Sequence, residues 1–106
     1  IAAAEYLLDN YKIVKTYLRN IVSSRNYTFG KLKSLKANID VRTKHGNYIL
    51  INLKSKKRAI DVVSKLKKKL IYVKGPYQKP WDSCICISVG PKKFMEKFLI
   101  TFKKII

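Results

Sequence analysis

Cys84 and Cys86 stand two residues apart in the run Cys-Ile-Cys-Ile-Ser. In an extended strand this spacing puts both sulfurs on one face. Such a pair can pack as small thiols, help bind a soft metal, or supply a nucleophile if a base lies near. A metal site needs more ligands, and the only histidine, His45, falls in the turn Lys44-His45-Gly46-Asn47. A Cys–His pair from His45 and either thiol is open in principle; two thiols packed on a sheet is the simpler reading. Cysteines this close on one strand make no disulfide framework, which points to reduced thiols and a cytoplasmic protein. The preceding loop, Lys74 to Asp82, sets Tyr77 and Trp81 beside Lys74 and Lys79. That combination could stack bases or hold an anionic group, and it could equally cover a sheet edge. No glycine-rich phosphate loop occurs, because the four glycines stand singly. The acidic residues are likewise isolated, so no paired-carboxylate motif can be read.

The elements that must position these residues follow from periodicity. Over residues 3–27, Leu7, Tyr11, Val14, Leu18 and Ile21 recur at spacings of three and four, the stripe of an amphipathic helix. The pattern fades at Asn26, and Gly30 is expected to break it. Ile39–Arg42 suits a short strand, and Tyr48–Leu53 is a near-continuous apolar run suited to a strand covered on both faces. Ser55 is placed to cap a helix over 57–69, with Ile60, Val63 and Leu66 toward the core. Leu70–Val73 and Ser83–Val89 read as strands, and Gly90-Pro91 ends the second. Residues 92–104 form a last helix, with Phe94, Phe98, Thr101 and Phe102 along one side.

The order helix, weak strand, strand, helix, strand, strand, helix predicts an α/β (α+β) two-layer sandwich. It is a small mixed sheet with helices on one face, preceded by a long N-terminal helix. Strands 48–53 and 70–73 are expected to be parallel neighbours through a helical crossover, and 70–73 to pair antiparallel with 83–89. One helix layer leaves the other sheet face open and in need of cover from outside the chain.

With 106 residues, the chain is one small domain, and no apolar run is long enough to span a bilayer. Its first residues lack the basic head of a signal peptide, and a start at Ile1 inside a helical pattern suggests a fragment or a processed product. The formal charge is +18, from 24 basic and six acidic residues. A charge of that size raises the possibility of a polyanion partner. Only Arg19, Arg25, Arg42 and Arg58 among the basic residues are arginines, and the lysines are spread over the whole chain. A solvated basic surface is therefore favoured over a nucleic-acid-binding module, which stays as an alternative beside a non-catalytic interaction domain.

Three letter patterns carry a resemblance. Residues 46–53, GNYILINL, resemble the "NF-I-L-I" strand of the histidinol-phosphate aminotransferase-like branch of the class I/II aminotransferases. Residues 67–75, KKKLIYVKG, resemble that family's "ERGI-VR" segment, and residues 85–90, ICISVG, its "LRISVG" strand. The helix that follows, KKFMEKFLITF, resembles the family's last helix, and the first resembles the helix linking its large and small domains. The order and spacing agree over nearly the whole chain.

The resemblance implies the C-terminal small domain of a fold-type I enzyme dependent on pyridoxal 5'-phosphate. Residues 1–30 would be the linking helix and 39–106 the sheet and helices of a single domain spanning 1–106. The large domain that holds the cofactor through a lysine would lie outside these residues, so they alone are not expected to be active. The whole protein would transfer an amino group between a small amino compound and a 2-oxo acid, and would work as a homodimer. In that family the small domain closes over the substrate and binds its anionic end. One cation ends the "VR" strand and is matched by Lys74; the other is the Arg of "LRISVG", matched by Cys86. Asn47 matches the Asn of "NF" and is carried as a third substrate-side residue, with a plain turn role as its alternative. Lysine keeps a cation but not the bidentate fork, and Cys86 brings no positive charge. The resemblance further implies that Cys86 faces the substrate cleft; a sulfur packed among helix side chains would contradict it.

Overall fold

The structure is a computed structural model that describes residues 11–35, 37–43 and 46–106. Helix α1 spans Tyr11–Lys33, strand β1 Asp40–Arg42 and strand β2 Tyr48–Asn52. Helix α2 spans Lys56–Lys68, strand β3 Cys84–Ser88 and helix α3 Lys92–Ile105. The first turns expected of the N-terminal helix, Leu7 included, and the turn residues Lys44 and His45 lie outside the described residues.

The sheet has the order β1-β2-β3, and both pairs are antiparallel. Beyond β3, Lys74 makes one antiparallel bridge to Cys86, its N–H donating to the Cys86 carbonyl at 3.0 Å and its carbonyl accepting at 2.8 Å. This corrects the expected pairing. β2 and the segment ending at Lys74 are both antiparallel to β3, so they run the same way, but β3 is inserted between them. The crossover through α2 is therefore split, and no parallel pair forms among the described residues. Leu70–Val73 is not a strand: the N–H groups of Leu70 and Ile71 turn back to the carbonyls of Lys67 and Leu66, and only Lys74 reaches the ladder.

Alternation along the strands decides which face is covered. Val41, Ile49, Ile51, Ile85 and Ile87 join one buried cluster with Leu32 of α1, Ala59, Val62 and Leu66 of α2, and Met95, Phe98 and Phe102 of α3. The two phenylalanine rings stack at 5.3 Å between centroids. The α/β fold with its helices against one sheet face is thus as expected.

Three core faces differ from expectation. α1 passes through Gly30, which faces open space, and buries Ile21, Ser24, Thr28 and Leu32 while Tyr11 and Leu18 stay exposed. Ser24 and Thr28 tolerate burial because their hydroxyls donate to the Gly90 and Ser24 carbonyls at 2.7 and 2.8 Å. α2 buries Ala59, Val62 and Leu66 in place of Ile60, Val63 and Leu66, leaving Ile60 half exposed. α3 buries Met95 with Phe98 and Phe102, and turns Phe94 outward. The cap is as expected: Ser55 has extended backbone and accepts from the Arg58 N–H at 3.3 Å, a contribution of about 1 kcal/mol.

Candidate functional site

The face of the sheet away from the helices carries the alternate residues of each strand. Arg42 pairs with Leu50, Leu50 with Cys86, and Cys86 with Lys74. Side chains of directly paired residues share a face, so Lys74, Cys86, Leu50 and Arg42 form one row across the sheet. Neighbouring members are spaced by the strand separation of about 4.8 Å. The adjacent row is Cys84, Asn52 and Asp40. Leu50, Asn52 and Cys86 are half-buried and Cys84 is buried, whereas Lys74 and Arg42 are exposed.

The loop after Lys74 folds back over this face. Gly75 makes that possible: it adopts φ +113°, and a Cβ there would stand 2.7 Å from the Cys84 carbonyl oxygen. The chain therefore approaches β3 more closely than a side chain permits. Tyr77 then lies against the thiols. Its own burial, followed by the neighbouring Cys86 and then Cys84, raises its phenol above the usual tyrosine range. The neutral phenol is both a donor and an acceptor. The adjoining row is fixed from the other side. The Asn52 Oδ1 accepts from the Lys54 N–H at 2.9 Å and from the Ser83 hydroxyl at 2.8 Å.

Electrostatically the face is asymmetric. Lys74 holds one edge. At the other, Asp40 lies 3.8 Å from both Arg42 and Lys54, all of them substantially exposed, so these contacts contribute little to stability. Between the edges every side chain is of a neutral type.

Of the residues singled out from the sequence, Lys74 and Cys86 are direct partners, and Cys86 lies on the helix-free face. Asn47 is apart from them. It is exposed at the end of the β1–β2 hairpin, where its carbonyl accepts from the Val89 N–H, roughly 10 Å along the strand from Leu50. Trp81 is exposed in the loop. His45 lies outside the described residues. Arg42 was not foreseen. The alternation in Asp40-Val41-Arg42 contains the signal, since an inward Val41 turns its neighbours outward, but the register that aligns Arg42 with Leu50 and Cys86 is not visible in sequence.

No family model matches the chain, and no curated protein matches it by sequence. Solved structures do match it by fold. Against histidinol-phosphate aminotransferase from Sinorhizobium meliloti, in complex with pyridoxal-5'-phosphate, the TM-score is 0.80 at 18% identity, over 92% of this chain and 27% of that one. Against a candidate aminotransferase from Burkholderia pseudomallei it is 0.74 at 19% identity, over 94% of this chain and 30% of that one. The chain thus has the fold of part of these aminotransferases and spans less than a third of their length. At this identity the likeness concerns the fold.

No described helix is long and apolar enough to cross a membrane. Among the described residues, no three His, Cys, Asp or Glu side chains gather as a metal site requires.

Proposed function

We propose that this chain is the C-terminal, substrate-closing small domain of a pyridoxal-phosphate-dependent aminotransferase of the histidinol-phosphate aminotransferase-like branch. The observation that carries the reading is the pairing of Lys74 with Cys86. These two positions, 12 residues apart in sequence, are those the resemblance assigns to binding the substrate's anionic end, and they are bridge partners on the sheet face free of helices. The fold likeness supports the same reading independently.

In this reading the described residues do not hold the cofactor. Gly30 is inside a helix, Gly46 in a hairpin and Gly75 against β3, and Pro91 after Gly90 removes a backbone donor at the start of α3. In this reading the cofactor, which supplies the electron sink when bound, is held by the remainder of a larger protein. What this chain contributes is substrate placement: Lys74 offers a point charge to a carboxylate, Tyr77 and Leu50 form a partly dry wall beside it, and Cys86 fills the row between. The exposed Tyr11, Ile13, Tyr17, Leu18 and Val22 of α1 would be covered by the rest of that protein, working as a cytoplasmic homodimer.

Replacing Lys74 with glutamine in the full-length gene product tests the reading. Loss of one charge-assisted hydrogen bond should raise KM for the amino acid by about 10- to 100-fold while leaving the unfolding midpoint unchanged, because Lys74 is exposed and its bridge to Cys86 uses backbone atoms. An unchanged KM would remove Lys74 from the substrate's path.

A further inference from the structure

Resting on the proposed function, we infer that the substrate meeting this face carries a single anionic group, a carboxylate held by Lys74, and an otherwise uncharged, largely apolar body. The distribution of charge over the helix-free face leads there. Across the sheet from Lys74 come Cys86 and Leu50, and the flanking positions of β3 and β2 are Cys84 and Asn52 on one side, Ser88 and Tyr48 on the other. All are neutral side-chain types. Tyr77, resting against the thiols, adds a phenol whose ionisation is pushed upward by its burial and by Cys86 and Cys84.

A second anion on the substrate would therefore lose water over Cys86 and Leu50 with no cation among the strand residues around them, Lys79 being exposed in the loop, an arrangement that disfavours binding. The other cation of the row, Arg42, is three strand spacings from Lys74, about 14 Å between backbones, beyond the span of a short dicarboxylate. Arg42 also stands 3.8 Å from Asp40, whose carboxylate would repel an arriving anion. Lysine presents a point charge without the planar fork that grips phosphate in two places. A lone carboxylate at the sheet edge, with an apolar or aromatic side chain laid across Cys86, Leu50 and Tyr77, matches the groups of this face.

The test uses the full-length gene product with pyridoxal phosphate. Three substrate series are compared by kcat/KM: amino acids with uncharged side chains, dicarboxylic amino acids, and phosphate-bearing amino compounds. Calorimetric binding of the corresponding 2-oxo acids gives a readout independent of turnover. The uncharged series is expected to be preferred by about tenfold or more. Cys86→Arg should shift the ratio toward the anionic series by about tenfold or more, since it places a guanidinium in the middle of the row. Cys86→Ser, which stays neutral, should keep the original order. A wild-type preference for either anionic series, or a Cys86→Arg variant with an unchanged ratio, would overturn the inference while the aminotransferase reading stands. Absence of cofactor binding and of amino transfer with every series would overturn that reading itself. Should the arginine variant fail to fold, the wild-type series alone decides.

Discussion

Gly75→Ala is expected to destabilise the chain by about 2–6 kcal/mol and to release Lys74 from β3. Two effects add. The backbone at φ +113° is a conformation that residues with a Cβ rarely adopt, at about 1–3 kcal/mol of strain. The new methyl would also meet backbone rather than a flexible side chain: 2.7 Å from the Cys84 carbonyl oxygen and 3.1 Å from the Ile85 Cα. β3 cannot yield easily, because it is held by β2 on one edge and by Lys74 on the other. Such overpacking costs about 1–3 kcal/mol more. Urea unfolding followed by circular dichroism measures the loss. Gly30→Ala is the control. Nothing lies within 4 Å of its added Cβ, and in a helix interior it should stabilise by about 0.5–1 kcal/mol. A Gly75→Ala midpoint equal to wild type would mean that the loop does not approach β3 as described.

Phe102→Ala should cost about 3–5 kcal/mol, a large part of the roughly 5–15 kcal/mol that holds a domain of this size. The ring is fully buried, stacks on Phe98 and shares the cluster with Ile51, Ile85 and Leu66, so its removal opens a cavity where both layers meet. Phe94, about two turns away and 62% exposed, is the comparison: its replacement by alanine should shift the urea midpoint little. Equal losses at the two positions would contradict the core face assigned to α3.

Phe94 also illustrates what the sequence conceals. Phe94, Phe98 and Phe102 repeat every four residues, which drifts around a helix of 3.6 residues per turn, and Met95 takes the place that Phe94 cannot reach. The same ambiguity shifts α2 by one residue: Val62 and Val63 are equally apolar, and small Ala59 is chosen because it lets the helix sit close to the sheet. Gly30 reads as a stop, but its propensity cost of about 1 kcal/mol is outweighed by burying Thr28 and Leu32 on either side of it. The strands at Asp40–Arg42, Tyr48–Asn52 and Cys84–Ser88 and the Ser55 cap were legible because each depends on neighbouring letters, whereas Leu70–Val73 reads as a strand and instead turns back on the end of α2. The insertion of β3 between β2 and Lys74 was not, since it depends on pairing between residues more than thirty apart.

The site divides in the same way. The types of Lys74 and Cys86 are legible in the sequence, as is the place of Cys86 at the middle of a strand. That they become partners follows from the turn at Leu70 and Ile71, the φ of Gly75 and the bridge that ends the loop. Arg42 enters the row only through register.

The deciding measurement for an aminotransferase small domain is the visible absorption of the full-length gene product purified with pyridoxal phosphate and titrated with an amino acid of uncharged side chain. An absorption band from stably bound cofactor is expected to fall as the amino acid is added and to be restored by a 2-oxo acid, with Lys74→Gln requiring higher amino acid concentrations for the same change. A protein that retains no cofactor, or a band that no amino acid alters, would contradict the aminotransferase reading.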